Sequence, residues 1–456
     1  MTPTDVRTAE QARVLIVERD LSHVAVGYVD VDGMLRAKLL SREKVLQALD
    51  GGLNYCNVVL GWDSADALYD NVTASGWHTG FADARVRIVP ETCRLLPLDG
   101  ERPLFLVEMS GAEAAVCPRA TLGRVLDRAG ELGFDVAAAF EYEFFLFDET
   151  PDSVRGKGFR DLRPLAPGPF GYAALRSGAH AELYAGILEL CERMGMPLEG
   201  LHEESGPGAL EAAIAVAEGI EAADRAVLFK TYVKVLAQRR GAMATFMSRW
   251  SNDWPGSGGH LHVSLRARGG GASAFHDAGA PDAMSPVMRA FLAGQQALMP
   301  ELLAMVAPTI NSYSRLVPGF WAPTNATWGV ENRTCALRVI PGSPGSQRIE
   351  YRVAGADANP YLALAAALGS GLWGIEHGLE PGAPTAGNAY ELGVRAGPAL
   401  PATLWEGAQA LRGSGAAREL FGAGFVEHFA ATREWEERAF RGSVTSWELE
   451  RYFEGI

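Results

Sequence analysis

The sequence has no apolar run approaching the roughly 18 residues that a bilayer-crossing helix needs. Its first residues, MTPTDVRTAEQARVLIVERD, carry acids and lack the apolar segment of a secretory leader. No targeting signal is read from them, and a cytoplasmic protein is the expectation. Cysteine is scarce. Cys56, Cys93, Cys117, Cys191 and Cys335 are scattered, odd in number and never spaced C-x-x-C, which suits a reducing compartment. Positive charge is also short: 41 Lys and Arg stand against 55 Asp and Glu, a net charge of −14, so a nucleic-acid partner has no electrostatic support. The one basic candidate, RAVLFKTYVKVLAQRR, has the Lys/Arg spacing of a solvated helix face. No G-x-x-x-x-G-K-[ST] loop is present, which excludes a P-loop enzyme, and no internal repeat or long low-complexity tract is found.

What the sequence does contain is ordinary globular material, 456 residues of which 48% are hydrophobic and 21% charged, enough for two or more domains. From Val14 to about Ser110 the pattern suits strands, with HVAVGYVDVDGMLRAKLL reading as two runs joined at Asp32-Gly33. CPRATLGRVLDRAGELGF then predicts a helix ended by Gly133. A boundary near residue 112 follows, dividing the chain into 1–112, small and β-rich, and 113–456. The larger part alternates strands (DVAAAFEYEFFLFD, ATFMSRW, GGHLHVSLRA) with helices and a strand-turn-strand unit, PLEGLHEESGPGALEAAIAV. The expected class is α+β.

Chemistry is concentrated on those strands. In EYEFFLF, Glu141 and Glu143 alternate and share one face, a costly arrangement in an apolar strand unless a cation neutralises them; a solvent-facing edge strand is the plain alternative. HEESGPGALEA puts Glu204 and Glu211 on either side of a Gly-Pro-Gly turn. GSGGHLHVSL places His260 and His262 on one face, and IEYRV adds Glu350 and Arg352 at alternate positions. Hard oxygen donors with one imidazole suit Mg²⁺ or Mn²⁺ rather than zinc. Arg315, Arg333, Arg338 and Arg352 lie within one short region, and guanidinium forks recognise carboxylate and phosphate. Metal-holding carboxylates beside such arginines are what phosphoryl transfer from a nucleotide requires.

EYEFFLF, HEESGPGALE, ATFM, GSGGHLHVSL, NSYSRLVPG, NRTCALR and RIEYRV-x4-ANPYL, in that order, resemble the glutamine synthetase family, class I type, over nearly the whole chain. The resemblance implies a small N-terminal β-grasp-like domain, a large α+β catalytic domain with a curved antiparallel sheet, and a dodecamer of two stacked hexameric rings with sites between neighbouring subunits. It also implies ATP, two or three Mg²⁺ or Mn²⁺ ions per site, and γ-glutamyl phosphate as the activated intermediate. By position, Glu143, Glu204 and Glu211 match the first metal's ligands; Glu141, His260 and Glu350 match the second's. Arg315, Arg352 and Gly256 match the glutamate contacts, Arg333 and Arg338 the arginines on the transferring phosphoryl group, and Glu199, His262 and Ser264 the nucleotide contacts.

The amine half departs from the family pattern. Where ammonia-using members carry Glu in R-L-V-P-G-Y-E-A-P, this chain reads RLVPGFWAP, and Trp321 has neither a carboxylate's charge nor its basicity. Glu203 replaces a family His, Ala209 a Gln and Pro255 an Asn; VVLGWDSAD stands where an ammonium-site aspartate is expected, with Asp63 as its substitute. Asp63 or Glu203 is the candidate base for the amine, and Tyr172 is expected to line the same pocket. The resulting expectation is a ligase joining glutamate to an organic primary amine. An ammonia-using glutamine synthetase and a catalytically retired structural or regulatory relative stand beside it as alternatives. Tyr390, in NAYEL, lies near a tyrosine that some bacterial members adenylylate; its flanks differ, and a structural role is expected.

Overall fold

The computed structural model describes residues 2–393 and 397–456 and forms two sheets. The first contains β1 (His23–Val29), β2 (Leu35–Ser41), β3 (Leu53–Cys56), β4 (Asp83–Ile88), β5 (Arg94–Leu96) and β6 (Arg102–Met109), ordered β2-β1-β6-β4-β3 with β5 beside β6. Asp32-Gly33 makes the β1–β2 turn, where the Asp30 carboxylate accepts the amides of Asp32 and Met34. Two elements here differ from expectation. Val14 to Val17 belong to a helix, Ala9–Glu18, capped by the Thr8 hydroxyl. The apolar run VLIV resembles a strand, but Ala12, Leu15 and Ile16 bury together at helical spacing. A second helix, Arg42–Gly51, begins at the Ser41 cap inside the stretch read as strands.

The second sheet has nine strands: β7 (Phe134–Phe147), β8 (Leu198–Glu203), β9 (Ala209–Ile214), β10 (Ala217–Glu218), β11 (Met243–Thr245), β12 (Gly259–Ala267), β13 (Trp328–Val330), β14 (Leu337–Ile340) and β15 (Arg348–Tyr351). Its order is β13-β14-β15-β12-β7-β9-β8, and all neighbours are antiparallel except β13 and β14. ATFMSRW supplies only β11; its last residues leave the sheet. Residue 112 lies between the two sheets.

One face of β7 is core. Tyr142 and Phe144 pack against Phe246 and against Phe229 of the helix Glu221–Arg239. The first sheet sits on this body through its β1–β2 turn: Asn359, which caps the helix Pro360–Glu376, donates to the carbonyls of Asp30 and Val31, and buried Arg433 reaches Asp32 at 2.6 Å.

The basic helix keeps Arg239 and Arg240 exposed, as expected of a solvated face, but turns Lys230 inward. Lys230 is buried, its ammonium donating to the Ala358 carbonyl at 2.8 Å with Tyr142 and Phe246 nearby. Burial lowers its pKa to about 7. Between that value and the unfolded value near 10.5 the unfolded chain holds a proton the native one lacks, so this group's contribution rises with pH through the window and is lost as pH falls towards 7. Lys230→Met should therefore raise the melting temperature more at pH 7 than at pH 9.5, by an amount equivalent to about 1–3 kcal/mol. Calorimetry at the two pH values checks this; an equal shift at both would contradict it.

Candidate active site

The register of the nine-stranded sheet lines the polar residues up. His260 faces Glu141 across β12 and β7, Glu143 faces Glu211 across β7 and β9, and His202 faces Glu211 from β8. On the other side Glu350 lies between His262 and Arg338. Because residues alternate faces, Glu141 and Glu143 stand on this row while Tyr142 and Phe144 go to the core. The Gly-Pro-Gly turn completes the row: Gly208 has φ +73°, a Cβ there would lie 2.4 Å from the Leu146 carbonyl oxygen, and the reversal brings Glu204 beside Glu211.

Among the described residues three groups of ligand atoms gather, each group within 4.8 Å: Glu141–His260–Glu350, Glu143–Glu211–His260, and His202–Glu204–Glu211. His260 Nδ1 lies 3.0 Å from Glu141 and 3.6 Å from Glu350, and His262 Nε2 3.7 Å from Glu141. Burial opposes the charge of Glu141, but hydrogen bonds from both histidines outweigh it and hold its carboxyl well below the usual range. Glu350, also buried, is lowered to about 2 by Arg352 and the same histidines. Glu211 is pushed the other way, by burial and then by the charges of Glu141 and Glu143. A row of oxygen donors in which a carboxylate is raised by its neighbours is short of positive charge, and the donor chemistry fits hard divalent cations.

The row opens into a cavity of about 320 Å³ lined by all four arginines, by Gly256 and by Tyr172, Pro255, Phe320 and Trp321. Arg338 Nη1 is 3.0 Å from Glu350, and Arg338 also bonds Glu331. Arg315 is fully buried and donates to the Val353 and Arg352 carbonyls at 3.0 and 3.2 Å, with burial lowering its pKa. Gly256 is wedged against it: a Cβ would meet the Ser248 carbonyl oxygen at 2.2 Å and Arg315 Cγ at 2.9 Å. Gly256→Ala should displace Arg315 and lower kcat/KM by about tenfold or more, since a 1 Å misplacement can cost ~100-fold; steady-state kinetics checks this. A second cavity, about 260 Å³, shares Glu141 with the first and is lined by Glu199, His262, Ser264 and Arg348.

Residues 115–452 match the family model described as the glutamine synthetase catalytic domain. The chain belongs to the glutamine synthetase family. The family comprises ATP-dependent carbon–nitrogen ligases, and the curled sheet with its flanking helices is the glutamine synthetase fold. The chain is 43% identical to "Type-1 glutamine synthetase 2" of Dictyostelium discoideum, over 95% of this chain and 84% of that protein. It is 35% identical to "Glutamate--isopropylamine ligase" of a Pseudomonas species, over 98% of both. Among solved structures it is similar to "GmaS/ADP complex-Conformation 1", with TM-score 0.84, 27% identity and coverage of 97% of this chain and 99% of that one.

Two of the sequence-derived candidates, Glu203 and Asp63, lie outside the cavity of their own chain. Glu203 is buried on the other face of β8, where it accepts a hydrogen bond from the Tyr184 hydroxyl. Its carboxylate does not line the cavity, and its backbone carbonyl accepts the Tyr172 amide at 3.1 Å. Asp63 accepts the amides of Ala65 and Ala67, each at 2.8 Å, in a turn of the N-terminal part, and does not line its own chain's cavity. The residue that sequence reasoning missed is His202. Its Nε2 is 3.0 Å from Glu211, its ring packs 4.8 Å from that of Tyr172, and the Glu211 hydrogen bond raises its pKa to about 9. The H-x-E alternation of His202 and Glu204 was the available signal. Trp321 is 55% exposed at φ +58°, so it is a rim residue rather than packing. The Tyr390 hydroxyl is buried, not presented for modification.

Proposed function

We propose that this protein joins the γ-carboxylate of glutamate to an organic primary amine, using ATP to form γ-glutamyl phosphate and releasing ADP and phosphate. The observation that carries the reading is the composition of the cavity: the acidic row and four arginines line it together with Tyr172, Pro255, Phe320 and Trp321, and no carboxylate stands at the Trp321 position.

Arg315 and Arg352, with Gly256, hold the carboxylate groups of glutamate. Arg333 and Arg338 take the charge of the transferring phosphoryl group, and Glu199, His262 and Ser264 contact the nucleotide in the adjoining cavity. Two or three Mg²⁺ or Mn²⁺ ions would be held by Glu143, Glu204 and Glu211 and by Glu141, His260 and Glu350, supplying charge neutralisation on the phosphates. The acyl carbon then accepts the amine nitrogen, phosphate leaves, and the nitrogen loses a proton. The attacking amine must be neutral. With Glu203 turned away, Asp63 from a neighbouring copy in the ring is the remaining carboxylate candidate; an aniline is already neutral at pH 7 and needs no base before attack, and the proton it sheds afterwards passes to water or the departing phosphate. The aromatic rim favours alkyl or aryl groups by packing and attracts a cationic amine through its ring faces, worth about 0.5–2 kcal/mol.

The relatives divide between two readings. The isopropylamine ligase supports an alkylamine; the 43% identical glutamine synthetase favours ammonia as the second reading, with the acid supplied from elsewhere. Retention of every metal-ligand position and all four arginines speaks against a retired protein. The assembly is taken to be a dodecamer of two hexameric rings, supported by apolar side chains left exposed at Trp447, Leu449 and Phe453 near the C-terminus. Mass spectrometry of a reaction with glutamate, ATP and isopropylamine should find γ-glutamylisopropylamide; product formation confined to glutamine in an ammonia-fed reaction would refute the proposal.

A further inference from the structure

The loop that carries Trp321 is fastened near its ends. Val317 donates to the Arg315 carbonyl at 2.8 Å, Leu316 packs on the main core, and beyond the tip the Thr324 carbonyl accepts the Leu400 amide at 3.1 Å. Between these anchors Trp321 holds a left-handed φ of +58°, which a non-glycine residue keeps only when its surroundings impose it. What lies against the tip is Arg249, whose guanidinium carbon sits 4.7 Å from the centre of the Phe320 ring.

Arg249 is itself firmly held. Its Nε donates to the Ser251 carbonyl at 3.0 Å, Nη1 to the Ser314 carbonyl at 2.7 Å and Nη2 to the Asn252 carbonyl at 2.9 Å. Its backbone exchanges a pair of hydrogen bonds with the Asn311 side chain, at 2.7 and 2.8 Å. These partners tie it to the helix Ile310–Arg315, which delivers Arg315 to the cavity, and to the segment leading to Pro255 and Gly256. No carboxylate pairs with the guanidinium in these contacts, so its charge is directed at carbonyls and the aromatic face, a use for which a planar fork is suited and an ammonium is not.

We infer that Arg249 is a positioning residue for the lid: it is the platform on which Phe320 rests, and through Phe320 it keeps Trp321 over the nucleophile's side of the cavity. The inference rests on the proposed function, in which this cavity activates glutamate and the Trp321 loop lines the side where the nucleophile enters. Its consequence is coupling. Under a seated lid the acyl phosphate waits for an external nitrogen; under a loose one it is lost to water, which gives back glutamate and phosphate, or to attack by the glutamate α-amino nitrogen on its own γ-carbonyl, which gives 5-oxoproline and phosphate.

The test uses the full-length protein with ATP, Mg²⁺ and glutamate, measuring phosphate release with and without the nitrogen donor that the wild-type protein uses best, ammonia included. Arg249→Ala should raise the KM for that donor about tenfold, leave the KM for ATP within about twofold, and lower the ratio of donor-dependent to donor-independent release at least about tenfold. Arg249→Lys, which keeps the charge and loses the fork, should fall between. Phe320→Leu, which leaves the Arg249 carbonyl bonds intact, should lower the same ratio and serves if Arg249→Ala does not fold. An unchanged ratio in Phe320→Leu, or an equal loss of all parameters in both Arg249 variants, overturns the inference. Because the ratio is taken with whichever donor works, a preference for ammonia would sink the organic-amine reading and leave this one standing; release with no donor dependence in the wild type would overturn both.

Discussion

Trp321→Glu should turn the nitrogen specificity towards ammonia. A carboxylate at the lid tip supplies both a charge for ammonium and a base for its proton, and general-base assistance is worth about 10²–10⁴-fold. The same change removes an aromatic wall, at a cost to an alkyl or aryl amine of about 1–3 kcal/mol. The ratio of kcat/KM for ammonia to that for isopropylamine should therefore rise by roughly 10³ or more. Tryptophan already occupies the left-handed backbone conformation at this position, so glutamate introduces no new backbone strain. A ratio that moves less than about threefold would mean that the tip residue does not choose the nucleophile.

The second large effect is expected at Glu350, where one buried carboxylate is shared among Arg338, Arg352 and His260. Glu350→Gln removes the charge and keeps the shape. The two guanidiniums then lose their common anion, and breaking a buried pair of this kind costs about 3–5 kcal/mol. ATP-dependent turnover should fall by roughly 10³ or more, with a lower melting temperature. Because the Glu350 pKa is held near 2, below its unfolded value, its stabilising contribution is present above about pH 4.5 and fades as pH falls towards 2. Wild type and variant should accordingly converge in stability under strong acid. A variant retaining a tenth of wild-type turnover would contradict this role.

The acidic row was legible in the sequence because strand alternation is a local rule: E-x-E, H-x-H and E-x-R each announce a shared face. The register that joins Glu141 to His260 and Glu143 to Glu211 is a tertiary fact, and the order of the family's motifs stood in for it. Reading failed where burial was decided from afar. Glu203 looks as reactive as Glu204, yet one residue of strand register turns it to Tyr184. Lys230 has the spacing of a solvated face but lies under the β7 aromatics, and the apolar residues at Val14 to Val17 fit helix as well as strand until the Thr8 cap is seen. His202 is masked in the sequence by Glu203 and Glu204 beside it, and its contact with Glu211 depends on the β8–β9 register. Arg249 carries no motif, and its place beneath Phe320 depends on two loops more than 60 residues apart meeting.

The most direct test of the central claim is phosphate release by the purified protein with ATP, Mg²⁺ and glutamate across ammonia, ethanolamine, putrescine, isopropylamine and aniline. The account predicts that at least one organic amine exceeds ammonia in kcat/KM by tenfold or more, about 1.4 kcal/mol or more in transition-state stabilisation, with an alkyl or aryl monoamine preferred by the aromatic rim. Equal or better use of ammonia than of every organic amine would contradict it, and release with none of them would point to a retired member of the family.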